Sequence, residues 1–231
     1  MKGHVLVLAL LVAASGCATT GDPRDPLEGI NRGVLAFNDA ADTAVLKPVA
    51  RAYNYVTPEP LRAMVRNFFN NLGDPWIGTN NLLQGKPLEA ITDWMRFAIN
   101  TTIGFFGIID VASQARIEKH NEDFGQTLAV WGVGSGPYLM LPFLGPSTTR
   151  DTAALPVDWY KDPVLTARPI ALRNSATAFR FIERRADALA VTNTLEEAAL
   201  DRYVFLREAF YQHRRNLIYD GRPPRERPPA D

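Results

Sequence analysis

Proline spacing divides this chain into short helical segments. The 231 residues include 17 prolines, and five X-Pro pairs recur where an apolar periodicity restarts: Asp25-Pro26, Lys47-Pro48, Thr57-Pro58, Asp74-Pro75 and Lys86-Pro87. Proline fits the first turn of a helix, whereas inside a helix it removes a hydrogen bond and clashes with the preceding turn. Each pair therefore predicts a helix start, with Asp25 as the first N-cap, and Gly73 and Gly85 are predicted to cap the preceding helices.

The first seventeen residues have the form of a bacterial lipoprotein signal. A short polar start precedes ten apolar residues, Val5 to Ala14, and small residues lead to Cys17. Ten helical residues rise only about 15 Å, half the hydrocarbon thickness, so the segment is too short for a permanent span. We expect residues 1–16 to be removed as a signal peptide and Cys17 to be acylated; the alternative is an ordinary signal peptide with an incidental thiol. Ala18, in place of the aspartate typical of inner-membrane retention, favours the outer membrane.

The remaining chain reads as one helical domain between two polar ends. Residues 17–24 are predicted to be a lipidated N-terminus and tether, residues 25–221 the folded domain, and residues 222–231, with four prolines, a disordered tail. A short helix is expected to end at Trp131, and Ser147 to cap another. Two longer helices are expected at about 168–191 and 195–218, the second opened by Asn193.

Three of the early segments carry apolar stripes at helical spacing. The stripes are Leu27, Ile30, Val34, Phe37 and Ala41; Leu61, Met64, Phe68 and Leu72; and Leu88, Ile91, Met95 and Ala98. Such stripes usually pack on a protein core, but in a lipid-tethered protein they can instead lie in the membrane plane. The sequence leaves both open. It also leaves open whether the apolar but interrupted segment 97–112 is core or half-inserted, and whether Trp76, Trp94, Trp131 and Trp159 are core or interfacial anchors.

Composition excludes several function classes. The 25 basic and 25 acidic residues give no net charge, so nucleic acid is not an expected partner. A single cysteine permits neither an intrachain disulfide nor a thiolate zinc site. After Cys17 no run of eighteen apolar residues occurs, so no transmembrane helix is predicted.

Few residues of this chain form a recognisable catalytic or metal-binding motif. His120 with Glu118, Glu122 and Asp123 outlines a weak metal site, against a solvated turn as the simpler reading, and His213 stands on a basic helix face. Gly132, Gly134 and Gly136 lack the rest of a phosphate-binding motif, and Ser135 lacks that of a nucleophile elbow. Those glycines are either a turn that needs positive φ or a flexible loop. The carboxylates Asp110, Asp151 and Asp158 read as surface or helix-cap residues. We therefore expect no catalytic residues, no metal site and no cofactor.

Residues 25–221 resemble the VacJ or MlaA family, the phospholipid-binding lipoproteins of the Gram-negative outer membrane. The matching runs follow one another in order: Asp25-Pro26-Leu27-Glu28-Gly29-Ile30-Asn31-Arg32, Phe37-Asn38, Lys47-Pro48-Val49-Ala50, Asn67-Phe68-Phe69-Asn70-Asn71-Leu72, Leu83-Gln84-Gly85, Arg96-Phe97, Asn100-Thr101-Thr102-Ile103-Gly104, Asp123-Phe124-Gly125-Gln126-Thr127-Leu128, Gly132-Val133-Gly134, Gly136-Pro137-Tyr138, Leu141-Pro142, Gly145-Pro146-Ser147, Arg150-Asp151, Tyr203, Arg207, Glu208 and Tyr211. The chain departs from the family pattern at Asn81, where an aspartate is more usual, and at Ala154, where a glycine is common.

The resemblance implies an all-α ring or crescent of short amphipathic helices with a central polar channel. It implies a lipid-anchored protein in the periplasmic leaflet of the outer membrane, bound to trimeric porins. Its implied function is to remove phospholipids misplaced in the outer leaflet and pass them to a soluble periplasmic carrier. It is not an enzyme on this reading; the alternatives are a lipoprotein phospholipase or esterase and a structural porin-associated lipoprotein.

The resemblance also assigns candidate site residues. It places a hinge beside the channel at Gly132, Gly134 and Gly136. Arg173, Arg180 and Arg184 become candidate contacts for lipid phosphates, against a solvated helix face as the simpler reading. The three striped helices, 27–41, 61–72 and 88–98, become the membrane-contacting rim.

Overall fold

The computed structural model describes residues 22–198 and 200–225, and for residues 191–198 it describes the helix but not the side chains. The fold is mostly helical. In chain order the elements are α1 (Glu28–Ala41), a π-helical turn (Asp42–Leu46), α2 (Lys47–Val56), α3 (Glu59–Leu83), α4 (Pro87–Thr102), α5 (Val111–Gln114), α6 (Phe124–Val130), β1 (Tyr138–Leu141), β2 (Gly145–Thr148), α7 (Thr149–Lys161), α8 (Ile170–Ala198) and α9 (Arg202–Ile218). None of these helices is long and apolar enough to cross a membrane.

The prediction of an all-α fold is confirmed in its main feature, with one small addition. Strands β1 and β2 form an antiparallel hairpin in which Tyr138 lies opposite Thr148 and Leu141 opposite Gly145. Prolines at 142 and 146 keep this pair short, since proline cannot donate to a strand ladder. The hairpin packs against α1 and α9 through Tyr138, Met140 and Tyr203.

Several predicted helix boundaries are wrong, and the most instructive is at Asp74-Pro75. Helix α3 runs through Pro75 without ending, and Gly73 adopts no positive φ that would mark a cap. Proline removes one backbone hydrogen bond, and packing against α4 compensates for that loss. Gly85, by contrast, has φ +79° directly after α3 and is a left-handed C-terminal residue as predicted.

The N-terminal start is also different. Leu27, not Asp25, is the N-cap residue of α1, and the Asp25 side chain points into the interior. The chain passes from α1 through the π-helical turn into α2, so Lys47-Pro48 lies in the first turn of α2 without a break in the helical path.

The later boundaries shift in the same way. Helix α7 is capped by Thr148, whose side chain accepts a hydrogen bond from the Asp151 N–H, and not by Ser147. Asn193 lies inside α8, which extends to Ala198. The last helix starts instead after Asp201, which accepts hydrogen bonds from two backbone N–H groups.

The predicted signal peptide 1–16, the acylated Cys17, tether residues 17–21 and tail residues 226–231 lie outside the described part of the chain.

Candidate functional site

Helix α4 exposes its apolar face and buries its polar one. On α4 the buried positions are Ala90, Asp93, Arg96 and Asn100. All four residues of its predicted apolar stripe are instead exposed, with Leu88 at 75% and Ile91 at 49%. A water-exposed helix would have the opposite orientation, because burying such side chains stabilises a soluble fold by about 1.5–3 kcal/mol each. The common expectation, a stripe packed on a core, is therefore wrong for α4.

The inversion holds only in part along α3 and α1, where Phe68, Leu72 and Val34 of the stripes are half-buried. Helix α3 buries Asn71, Asp74, Asn80 and Asn81, and its stripe residues Leu61 and Met64 are exposed. On α1 Asn31 is the buried residue, and Ile30 and Phe37 are 44% and 49% exposed. Exposed apolar residues in a continuous set mark a surface that meets lipid or another apolar partner.

Hydrogen bonds satisfy much of the polar interior between α3 and α4. Arg96, only 1% exposed, donates to both Asp110 carboxylate oxygens at 3.0 Å and to the Ile117 carbonyl at 2.5 Å. Asn81 donates to Asp93 at 2.8 Å, and Lys119 pairs with Asp74. Buried polar groups are tolerated only when paired in this way, so these contacts fix how the two helices pack.

A strained loop adds two aromatic rings to the apolar face. Phe105 and Phe106 follow α4 with φ of 52° and 58°, and each is 72% exposed. Bulky residues rarely adopt left-handed conformations, which cost about 1–2 kcal/mol each. The centre of segment 97–112 is therefore not part of a protein core, and its half-insertion in the membrane stays a prediction. Trp94, Trp131 and Trp159 are also exposed, whereas Trp76 is half-buried.

A large cavity opens between α3, α7 and α8. It encloses about 1130 Å³, above the about 300–1,000 Å³ of typical small-molecule pockets. Its lining is amphipathic: apolar side chains include Leu72, Leu155 and Phe181, and charged ones come from α8 and from the Asp158 side of α7.

The structure brings together the three predicted arginines at this cavity. Arg173, Arg180 and Arg184 all line it, at spacings of seven and four residues along α8. Arg180 is 9% exposed and donates to Asp162 at 2.6 Å. Arg184 is exposed, and partial desolvation by nearby protein atoms together with the positive charge of Arg180 lowers its pKa. Arg180 is buried, Arg173 is half-buried and Arg184 is exposed, so contact of these arginines with lipid phosphate stays a prediction.

The three predicted glycines lie at a different place. Gly134 lines a second cavity of about 550 Å³, together with Arg24, Arg150 and Arg214. Gly132 and Gly136 have φ of +89° and +65°, which is the turn reading, whereas Gly134 shows no such φ and a Cβ there would meet nothing within 4 Å.

An ion-paired wall stands between the two cavities. Asp123 lines the larger cavity and Arg214 lines the smaller one. Arg214 donates to Asp123 at 2.5 and 2.7 Å and to Asp151 at 3.0 Å. Burial raises the pKa of Asp123, but the hydrogen bonds and charge of Arg214 outweigh burial and hold that pKa below its ordinary value. His213 is exposed beside this arginine.

The hairpin is held on α1 by two asparagine amides. Asn31 donates to the Tyr138 carbonyl at 3.1 Å and accepts from the Met140 N–H at 2.9 Å. Two helical turns later, Asn38 donates to the Leu141 carbonyl at 3.0 Å and accepts from the Phe143 N–H at 2.8 Å. The two asparagine side chains thus make the hydrogen bonds that a third strand would otherwise make with the backbone at the free edge of β1.

The carboxylates read as surface or cap residues divide into two groups. Asp110 does cap α5, through the Ser113 N–H. Asp158 is half-buried, and its Oδ1 accepts hydrogen bonds from the Trp76 indole at 2.7 Å and from the N–H of Phe124, the first residue of α6, at 3.0 Å. Burial raises the pKa of Asp158. The sequence does not indicate these contacts of Asp158, because its partners Trp76 and Phe124 lie 82 and 34 positions away.

The weak metal site predicted around His120 is not formed in the described part of the chain. His120 Nδ1 lies 3.0 Å from Asp93 Oδ1, and Glu122 contacts Gln84 and Lys86 instead. Within residues 22–198 and 200–225, no group of three potential ligands converges on a metal site.

Comparison with known proteins gives consistent matches. A family model described as MlaA lipoprotein matches residues 23–217. The intermembrane phospholipid transport system lipoprotein MlaA of Escherichia coli K12 is 37% identical over 243 aligned positions, covering 100% of this chain and 95% of that protein. The protein of the same name from Haemophilus influenzae is 33% identical, covering 96% and 93%.

A solved structure also matches. It is described as the structural basis for maintenance of bacterial outer membrane lipid asymmetry. Its TM-score is 0.70 at 34% sequence identity, and the match covers 84% of this chain and 98% of that one.

Proposed function

This chain belongs to the MlaA lipoprotein family, and on that premise we propose that it removes mislocalised phospholipids from the outer leaflet of the outer membrane and hands them to a soluble periplasmic carrier. The observation that carries the proposal is the combination of outward-facing apolar side chains with an amphipathic cavity. Apolar side chains such as Leu88 face outward, and the charged cavity wall of α8 faces inward.

The exposed apolar side chains would contact acyl chains in a protein that lies within one leaflet of the membrane. Each exposed apolar side chain that enters lipid contributes about 1–2 kcal/mol. An acylated Cys17 would add to this, since each buried methylene contributes about 0.8 kcal/mol. We therefore propose that the protein lies in the periplasmic leaflet, anchored by lipid and by its own surface.

In this proposal the cavity lowers the two free-energy costs of moving a phospholipid out of a membrane. Two acyl tails hold about 30 methylenes, so exposing them to water costs on the order of 24 kcal/mol at about 0.8 each. A headgroup taken through hydrocarbon loses its water at a separate cost. A charged enclosure beside apolar walls offers the headgroup polar contacts while the tails stay near Leu72, Leu155 and Phe181. We propose that this enclosure belongs to the polar channel of a ring-shaped or crescent-shaped body.

In this proposal Arg173, Arg180 and Arg184 contact the lipid phosphate. Guanidinium groups match phosphate oxygens in geometry and charge. Gly132, Gly134 and Gly136 form the hinge beside the passage. A trimeric porin and a soluble carrier are the proposed partners, and the resemblance of the sequence to the family supports both.

Clearance in cells tests the proposal. The chain would be expressed in a Gram-negative strain that lacks its own relative, and phospholipid at the cell surface would be measured. We expect the wild-type chain to lower it and Arg180→Gln to impair this. Arg185→Gln is the matched control, because Arg185 lies on the same helix, pairs with Asp42 at 2.6 Å and does not line the cavity. Equal effects of the two variants, or no clearance by the wild type, would contradict the proposal.

Three further measurements separate the alternatives. Release of fatty acid by the purified protein, abolished by alanine at a serine or histidine, would favour a phospholipase. Continued sedimentation of Cys17→Ser with the outer membrane would count against acylation as the main tether. Normal porin association with no effect on surface lipid would favour a structural role.

A further inference from the structure

The described lining of the larger cavity carries more cations than carboxylates. The cations are Lys161, Arg173, Arg180 and Arg184, and the carboxylates are Asp123, Asp158 and Asp162. Two of these carboxylates are neutralised within the protein: Asp162 pairs with Arg180 at 2.6 Å, and Asp123 pairs with Arg214, which lies outside this lining. Three cations therefore remain in the lining against a single carboxylate, Asp158.

Among the described side chains, none of the three remaining cations has an ion-pair partner. The Lys161 Nζ lies over the Tyr160 ring, 5.3 Å from its centroid, and Arg173 donates to the neutral Asn174 side chain at 3.2 Å. Arg184 and Lys161 are exposed, and Arg173 is half-buried. The protein thus leaves three positive charges in the lining without a carboxylate of their own.

The nearby carboxyl groups oppose these charges only weakly. Both hydrogen bonds that Asp158 accepts, from Trp76 and from the Phe124 N–H, reach its Oδ1 atom, and burial raises the pKa of this carboxyl. Glu183, next to Arg184 in the chain, is buried outside the lining, and burial raises its pKa as well. A raised pKa lowers the ionised fraction of a carboxyl at a given pH. Even with Asp158 fully ionised, the cations outnumber it, so the cavity has a positive net charge.

The cations are distributed along the cavity. Arg173 and Arg184 lie on one face of α8, and their separation in the chain corresponds to about 16 Å along the helix axis. Lys161 lies at the C-terminal end of α7, the helix that supplies another wall. A cleft lined by separated charges of one sign attracts a ligand according to the net charge of that ligand.

We propose that the positive charge of Lys161, Arg173 and Arg184 makes this cavity prefer phospholipids with a net negative charge over zwitterionic phospholipids. The inference rests on the proposed function and adds to it the headgroup class, with Lys161 as a further specificity-determining residue.

The preference follows from the charge of the whole headgroup. An anionic headgroup such as phosphoglycerol keeps a net negative charge among these cations. In phosphoethanolamine the ammonium is repelled by the same cations that attract the phosphate, so much of the attraction is lost. The preference is moderate, because Lys161 and Arg184 are exposed and water screens their charges.

Competitive lipid capture tests the proposal. The purified full chain would be incubated with non-ionic detergent micelles that hold equal parts phosphatidylglycerol and phosphatidylethanolamine, recovered by gel filtration, and its bound lipids quantified by mass spectrometry. At about 0.01 M salt we expect about fivefold enrichment of phosphatidylglycerol, which corresponds to about 1 kcal/mol of differential binding. At about 1 M salt, where the Debye length is about 3 Å, the enrichment should disappear. A micelle ratio at low salt, or enrichment that salt does not change, would overturn the inference.

Variants assign the preference to the cavity. Lys161→Gln should lower the enrichment about twofold, because it removes one of the three cations. The triple variant Lys161→Gln, Arg173→Gln, Arg184→Gln should bind the two lipids at the micelle ratio. Arg51→Gln is the matched control, because Arg51 is an exposed cation of α2 outside the cavity, and it should leave the enrichment unchanged. Equal effects of Lys161→Gln and Arg51→Gln, or enrichment that survives the triple variant, would contradict the proposal.

The total amount of bound lipid distinguishes this inference from the proposed function. Wild-type protein that binds both lipids at the micelle ratio overturns the headgroup preference alone. Wild-type protein that binds neither lipid overturns the proposed function together with the inference. Lys161→Gln keeps the test decisive if the triple variant fails to fold, since Lys161 is exposed.

Discussion

Asp123 and Arg214 form a doubly hydrogen-bonded ion pair, at 2.5 and 2.7 Å, that ties the start of α6 to α9. Arg214 extends this contact to Asp151 of α7 at 3.0 Å. One guanidinium thus joins three helices at the wall between the two cavities.

The first prediction concerns pH. Arg214 holds the pKa of Asp123 below its ordinary value, so the pair contributes stability above the unfolded pKa of about 3.9 and loses it as pH falls through the lower folded value. At neutral pH, Asp123→Asn should lower the free energy of unfolding by about 2 kcal/mol. Near pH 3 the difference from wild type should shrink, because protonation weakens the pair in the wild type too.

Denaturant unfolding in detergent at the two pH values measures this difference. Asp187→Asn is the control: it breaks an exposed pair whose side chains are 33% and 44% accessible, and it should cost under about 1 kcal/mol. If the difference in unfolding free energy between Asp123→Asn and the wild type is the same at both pH values, the ion pair does not account for it.

The second prediction concerns the clamp on the hairpin. Asn31→Ala removes both hydrogen bonds to β1 and leaves the Met140 N–H and Tyr138 carbonyl buried without partners. The expected loss is about 2–4 kcal/mol of unfolding free energy, from two such groups at about 1–2 kcal/mol each. Hydrogen exchange at the Met140 amide should accelerate. Asn67→Ala, which loses one exposed bond to the Ile108 carbonyl at 3.2 Å, serves as control with a cost below about 1 kcal/mol. Equal costs for the two variants would argue against a clamp.

The third prediction separates the turn and hinge readings of the glycines. Gly136→Ala should destabilise the fold by about 1–2 kcal/mol, because its φ is +65° and its Cβ would lie 3.1 Å from Thr149. Gly134→Ala meets nothing within 4 Å and should leave stability within about 1 kcal/mol of wild type.

Surface phospholipid measured for the same two variants then tests the hinge. Impaired clearance by Gly134→Ala, at normal stability and normal membrane tethering, is the expected result. Unimpaired clearance by this variant would remove Gly134 from the proposed hinge.

The sequence predicted helix periodicity well and the orientation of helix faces poorly. The stripe Leu88, Ile91, Met95 and Ala98 is on one face of α4 as predicted. Periodicity states which residues share a face, but not whether that face meets protein or lipid. The opposite face, with Asp93, Arg96 and Asn100, carried the missing information: three polar groups at helical spacing that can be buried together only in a paired network.

Short sequence motifs also gave wrong predictions at positions where contacts between residues far apart in the chain determine the conformation. Pro75 was predicted to start a helix, yet packing against α4 keeps α3 continuous. Asp25 was predicted to be an N-cap, but it accepts hydrogen bonds from Asn31 at 2.9 Å and from Tyr203 at 2.5 Å, the latter 178 positions away. Asp158 joins Trp76 across 82 positions. Side-chain partners at such separations leave no spacing pattern in one sequence.

The orientation of α4 in lipid gives the most direct test of the central claim. Cys17 is the single cysteine, so a Cys17→Ser, Ile91→Cys chain carries one thiol, on the exposed apolar face, for a nitroxide spin label. A matched chain carries Cys17→Ser, Glu118→Cys at an exposed polar position. In vesicles, the Ile91 label should be accessible to oxygen and protected from a water-soluble nickel chelate, and the Glu118 label should show the reverse. Equal nickel accessibility at both positions, or no vesicle binding once Cys17 is gone, would contradict a body embedded in the leaflet.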